Sequence, residues 1–206
     1  MKRLPMLVER AIHESRLTRL RLADAYERSL RASTGGVVTC QKGCAHCCHY
    51  PVLLTVLEGL ILYRHLAKNH LWGHDLQQAF KDHAKKTWTQ SAPVWMLSEI
   101  PCPLLKDKHC IIYKSRPFMC RITTSTGDPF NCHPHRFNEQ TQLLPRRPWM
   151  EQLEEADRKI LRQFKLSLVY LPLSTATLYG ERIHKGEIVL GEVDLELLGE
   201  FVRGMS

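Results

Sequence analysis

Four thiols within nine residues constrain this chain more than any other feature: Cys40-Gln-Lys-Gly-Cys44-Ala-His-Cys47-Cys48. The gaps are C-x3-C and C-x2-C, closed by an adjacent pair. A short loop can fold such gaps around one metal ion or a compact cluster. Gly43, just before Cys44, supplies the positive φ a tight curl needs. Four more cysteines follow at Cys102, Cys110, Cys120 and Cys132. All eight are expected to form a metal-thiolate framework. Thiolates suit zinc, copper(I) and iron–sulfur clusters, and not magnesium or calcium.

At 206 residues the chain is long enough for a real core, so it needs no staples merely to fold. Its first ten residues, Met-Lys-Arg-Leu-Pro-Met-Leu-Val-Glu-Arg, lack the uninterrupted apolar centre of a signal peptide. No run approaches the roughly 18 apolar residues of a spanning helix. The longest candidate, 51–66, is broken by Glu58 and Arg64. The expectation is a cytoplasmic protein with no membrane partner, whose thiols stay reduced. There, eight cysteines point to metal before disulfides.

The net charge of +8 is unevenly placed. Residues 1–34 carry eight Lys/Arg against four acids, and residues 102–149 eight against three. A nucleic-acid partner is one reading of such basicity. A local reading suits the second block better. Four thiolates around Zn²⁺ or a [4Fe–4S]²⁺ core leave a formal charge of −2, which nearby Arg and Lys offset.

The predicted fold class is mainly α, with helices packed around a proline-rich, cysteine-ligated metal loop that includes a short β-hairpin. Residues 1–36 form an amphipathic helix, residues 37–150 the metal-binding region, and residues 151–206 a C-terminal helical region of the same compact domain. In the first helix Leu4, Val8, Ile12, Leu22, Tyr26 and Leu30 recur near the helical period, with Arg19 interrupting the stripe. Gly35 and Gly36 end it. Thr55-Val-Leu-Glu58 has the form of a capping box, opening an apolar helix to about Asn69. A second helix covers Asp75 to Gln90, and His70, His74 and His83 are ordinary surface or core histidines. The eight prolines between Pro93 and Pro148 make residues 93–149 largely irregular. Cys102-Pro-Leu-Leu105 faces Cys110-Ile-Ile-Tyr113 across Lys-Asp-Lys-His as a hairpin. Helix returns over 151–170, then from Pro172 to Gly180. Ile188-Val-Leu190 reads as extended, and residues 193–202 as a final helix.

The C-x3-C-x2-C spacing fits three centres. One is structural zinc, tetrahedral with four cysteines or three and a His. Another is a [4Fe–4S] cluster completed by a later cysteine. The third is the cluster of radical-SAM enzymes, which share this spacing. Those enzymes need alternating strands and helices after the motif, which this chain lacks, and His46 stands where they carry an aromatic residue.

The pattern continues through Pro101-Cys102-Pro-Leu-Leu105, Cys110-Ile-Ile-Tyr113, Arg116-Pro-Phe-Met-Cys120-Arg121 and Cys132. This ordered set resembles the CxxCxxCC cysteine-cluster family, the YkgJ-type zinc- or iron-chelating domain, over roughly residues 37–135. The first gap here is one residue longer than that name states. The resemblance implies metal chelation. In its cysteine portion the chain is also similar to flagellin lysine N-methylase, a longer enzyme whose remaining part finds no counterpart here.

His46, His49, His109, His133 and His135 flank the cysteines as further candidate ligands. Arg116 and Arg121 are placed to bond carbonyls or thiolates. The two thiols of Cys47-Cys48 diverge, whether helical or extended. Spacing therefore groups Cys40, Cys44 and Cys47 in one site, completed by Cys120 because Arg-Pro-x-x-Cys-Arg fixes a turn. Cys48 joins Cys102, Cys110 and Cys132 or stays a buried free thiol. The expected function is a cytosolic metal-binding protein holding zinc or an iron–sulfur cluster. Two alternatives remain. One is an iron–sulfur-dependent oxidoreductase or methylase-like protein-modifying enzyme. The other is a metal-stabilised module that binds an unidentified protein partner through the basic first helix or the loop Thr123 to Asp128.

Overall fold

The computed structural model describes residues 4–33, 38–136 and 146–190. Among them are seven α-helices and two small antiparallel pairs of strands, so the fold is mainly α. Helix α1, Met6–Ser33, is the expected amphipathic helix. Its first half joins the main core through Val8, Ala11 and Ile12. Its second half buries Ala23, Tyr26 and Leu30 in a smaller cluster with Phe118, Ile122 and Leu153. The proposed glycine stop of this helix falls outside the described residues.

Helix α2, Val56–Lys68, starts at Thr55, whose hydroxyl accepts the Glu58 N–H at 3.3 Å. Only this half of the capping box forms. The Glu58 carboxylate turns away and accepts the Phe118 N–H at 2.7 Å. Helix α3 spans His74–Thr87, three residues short of the predicted end. Its His83 is a core histidine, bonded to Ser174 at 3.0 Å. Burial holds its pKa down to about 4.

The proline-rich region is less irregular than predicted. Helix α4, Ala92–Leu97, carries Pro93 in its first turn. There a missing N–H costs nothing and the fixed φ suits a helix. Strands β2, Leu105–Lys106, and β3, His109–Cys110, form the expected hairpin, with Leu105 opposite Cys110. Asp107 and Lys108 turn it, both at positive φ of 49° and 60°. Helix α5, Phe118–Ile122, follows Pro117 and carries Cys120. Helix α6, Arg147–Leu161, again takes a proline into its first turn.

Residues 151–170 are not one helix. Helix α6 stops at Leu161, a short turn ends at Lys165 with φ 56°, and the chain becomes extended. Strand β1, Leu53–Thr55, pairs antiparallel with β4, Tyr170–Pro172. Helix α7, Leu173–Lys185, runs five residues past Gly180 and is capped by Gly186 at φ 76°. Gly180 instead permits close approach. A Cβ there would lie 2.5 Å from the Leu60 Cα, and one on Gly59 would lie 2.2 Å from the Ala176 carbonyl. Helices α2 and α7 therefore cross almost backbone to backbone. Residues 188–190 form no strand, and the predicted helix at 193–202 lies outside the described residues.

The charged residue that breaks the apolar stripe of α1 is central to the core. Arg19 is buried, and its guanidinium grips Asp157 of α6 with Nη1–Oδ1 at 2.9 Å and Nη2–Oδ2 at 2.6 Å. Its Nη2 also donates to Thr55 at 3.1 Å, and Nε lies 3.3 Å from Glu58. Burial disfavours the Arg19 charge, but the Glu58 and Asp157 carboxylates outweigh it and raise the pKa overall. One buried cation thus ties α1 to α2, α6 and, through Glu58, the start of α5. Arg19→Met leaves two buried carboxylates without a compensating cation. It is expected to cost about 3–5 kcal/mol in urea unfolding. A loss below about 1 kcal/mol, the range of an exposed pair, would contradict this account.

Candidate metal centre

The loop before β1 carries the first thiols. Gly43, at φ 97°, closes the turn in which Cys44 N–H bonds the Gln41 carbonyl at 3.1 Å. That turn takes up the longer first gap. The Thr39 N–H and hydroxyl both reach the Ser125 carbonyl, at 3.0 and 2.9 Å. In return the Ser125 N–H donates to Cys40 Sγ at 3.2 Å. The buried Ser125 hydroxyl also bonds the Cys132 thiol. The Tyr50 hydroxyl donates to the Cys132 carbonyl. Cys40 feels the charges of Cys47, Cys44 and Cys132 as neighbours. Cys40, Cys44 and Cys132 therefore form one group.

The hairpin builds the second. The backbone N–H groups of Leu104 and Ile112 lie beside the sulfurs of Cys102 and Cys110 and favour their thiolate forms. In both cases the donor lies two residues beyond the sulfur. Burial outweighs that effect, and both thiols are raised overall. Leu104 and Ile112 are buried in the main core, so the knuckles are anchored from below. Cys120 of α5 has Cys102, Cys47 and Cys110 as its neighbouring thiols.

Cys47 and Cys48 sit between the groups, on the short 3-10 turn His46–His49. The Cys48 carbonyl accepts the Cys102 N–H at 2.8 Å, which lays this turn against the hairpin. Cys47 shares a hydrogen bond with Cys48 and is an electrostatic neighbour of both groups. This grouping differs from the one that spacing suggests. Cys132, not Cys120, accompanies Cys40 and Cys44, while Cys120 joins Cys102 and Cys110. The reason lies in long-range packing. Phe118 and Ile122 are fully buried on either side of Cys120 and fix where it sits, while Ser125 and Tyr50 return Cys132 to the first loop.

Burial pushes the thiols upward, Cys40 to about 11 and Cys102 to about 12. Cys47 rises mainly through its bond with Cys48, and Cys120 through burial. A metal bound by these raised thiols must displace their protons. Among the described residues, no three His, Cys, Asp or Glu side chains stand in ligating geometry. The donor set itself fits a zinc ion or an iron–sulfur cluster: eight thiols of one segment, a backbone N–H donated to the Cys40 sulfur, and a nearby cation.

That cation is Arg116. It is an electrostatic neighbour of Cys47, Cys110 and Cys120, stacks 3.8 Å over the Tyr113 ring, and bonds the Tyr113 carbonyl at 2.9 Å. Arg121 turns away to Asp24 and Glu27 of α1, at 3.2 and 2.9 Å. His46, His49, His133 and His135 cluster with one another. The His46 and His133 rings lie 5.8 Å apart, and His49 lies 6.5 Å from His133. His133 and His135 both reach Glu99, at 3.1 and 3.4 Å. Burial, then His133 and His49, lowers the pKa of His46. His109 bonds the Asp107 carbonyl at 2.6 Å, at the tip of its own hairpin. Thr39, Tyr50 and Ser125 carry no sequence signal of a site role, because each acts on a residue far away in the chain.

The model of the CxxCxxCC family, described as "Putative zinc- or iron-chelating domain", matches residues 39–147. That is just over half of the chain. The chain belongs to the CxxCxxCC family. Neither a curated protein nor a solved structure matches it. The matched CxxCxxCC segment contains all eight cysteines, the hairpin, α4 and α5. Helices α1 and α7 lie outside it. Among the described residues of this CxxCxxCC protein, no helix is long and apolar enough to cross a membrane.

Proposed function

We propose that this is a cytoplasmic metal-thiolate protein with two adjoining four-cysteine sites for zinc or an iron–sulfur cluster. Cys40, Cys44 and Cys132 form one site with one thiol of the Cys47–Cys48 pair. Cys102, Cys110 and Cys120 form the other with the remaining thiol. The observation that carries this reading is the separation of six thiols into two groups of three, joined at an adjacent pair. Zinc would supply a closed tetrahedral centre and a folding free energy, and an iron–sulfur cluster would add one-electron chemistry. The family's zinc- or iron-chelating description supports either metal. The chain's own part is to hold the sulfurs, donate the Ser125 N–H to Cys40, and offset negative charge with Arg116.

An enzyme reading, as oxidoreductase or methylase-like modifier, is favoured by one feature: a cavity bordered by Cys47 and Cys120. The interaction-module reading loses part of its surface, because Ser125 of the Thr123–Asp128 loop is engaged inside the first site. Anaerobic purification followed by metal and acid-labile sulfide analysis tests the proposal. Either stoichiometric zinc without sulfide or iron with matching sulfide is expected. A folded protein with eight free thiols that takes up neither metal would overturn it.

A further inference from the structure

A cavity of about 610 Å³ lies between the chain after Cys48, helices α4 and α5, and the start of α6. That volume falls within the roughly 300–1,000 Å³ of small-molecule sites. Val52, Leu53, Met96, Met119 and Met150 line it, and Cys47 and Cys120 border it. Methionine walls are polarisable and adapt to ligands of varied shape.

One cation enters this apolar space. Arg146 is half-buried, and its Nη1 donates to the Thr123 hydroxyl at 3.1 Å. The Thr123 hydroxyl in turn donates to the Met119 carbonyl at 2.7 Å, which fixes the pair against α5. Among the described residues, no carboxylate stands within ion-pair distance of Arg146, whereas Arg19, Arg64 and Arg121 all have one. A guanidinium offers five donors in a planar fork, and Thr123 takes one of them. The lining contains no other Lys, Arg or His.

We infer that this cavity binds a small molecule with an apolar body and a single carboxylate, the carboxylate paired with Arg146. A neutral ligand would leave the guanidinium unpaired. A phosphate would bring two charges to one cation. A carboxylate matches the fork bidentately. The body lies against Met96, Met119 and Met150. The consequence rests on the metal-thiolate reading: the bound molecule borders Cys47 and Cys120, and with them the junction of the two sites.

Decanoate and decanol serve as probes, titrated calorimetrically into the metal-loaded full chain. Decanoate is expected to bind, and Arg146→Met to weaken it about tenfold or more while decanol is unchanged. Arg146→Lys keeps the charge and is expected to restore much of the loss. Leu53→Trp, at a partly exposed strand position, narrows the cavity and is expected to weaken both probes. The inference is overturned if decanoate gives no heat at millimolar concentration. It is equally overturned if decanol binds as tightly as decanoate, or if Arg146→Met binds decanoate like the native protein. Metal content measured in each sample separates the two readings. Full metal without decanoate binding removes this inference alone. Decanoate binding to protein that never holds metal removes the metal reading alone.

Discussion

Removing the metal from the native protein is expected to speed amide exchange across residues 102–136 by about a hundredfold or more, while α2 and α7 keep their protection. A ligand present at a hundred times its dissociation constant contributes about 2.7 kcal/mol, which sets that lower bound. The helices are held by other means. Leu57, Leu60, Leu66, Leu173 and Tyr179 are almost fully buried, and glycines allow α2 and α7 to cross in close contact. Between 102 and 136 the apolar anchors are isolated: Leu104, Ile112, Phe118 and Ile122. Beyond Ile122 only Ser125, Cys132 and Pro134 are buried, in two short 3-10 turns and the loop before them. Loosening should therefore be greatest over 124–136 and least around Phe118. The Leu104, Ile112 and Ser125 amides report directly, because each lies beside a cysteine sulfur and that of Ser125 is bonded to one. Unchanged exchange at those three amides in metal-free protein would show that the thiols are not ligands.

The sequence made the helical framework visible where periodicity was strong. Helices α1, α2 and α3 lie within a few residues of their predicted bounds because apolar residues recur on one face. The misread stretches involve residues with two physical uses. Gly180 looks like a helix stop, but its missing side chain serves the crossing with α2, and Gly186 is the true cap. Pro93 and Pro148 look like breakers, yet both occupy first turns. The pairing of Leu53–Thr55 with Tyr170–Pro172 joins three-residue strands more than a hundred positions apart, and local pattern carries no trace of it.

The charged core was hidden for a related reason. Arg19 registers in sequence only as a flaw in an apolar stripe. Its partners Glu58 and Asp157 lie on other helices, and Glu58 is diverted from its local cap to serve the start of α5. For the thiols, the sequence offered eight candidates and the hairpin that presents two of them. The division proposed here draws on what packs around Cys120 and Cys132, which distance along the chain does not reveal.

That division is the central claim, and paired cysteine substitutions test it most directly. Single and double serine variants would be purified anaerobically and their bound metal measured per chain. Residues of one site act as a unit, so a second substitution there adds no further loss, whereas substitutions in separate sites add. Cys132→Ser and Cys120→Ser are each expected to lose one of two metal equivalents. The Cys40→Ser/Cys132→Ser double should lose no more than either single, and Cys120→Ser/Cys132→Ser should lose both. If Cys120→Ser/Cys132→Ser instead retains as much metal as either single variant, the two cysteines share one site and the account is wrong.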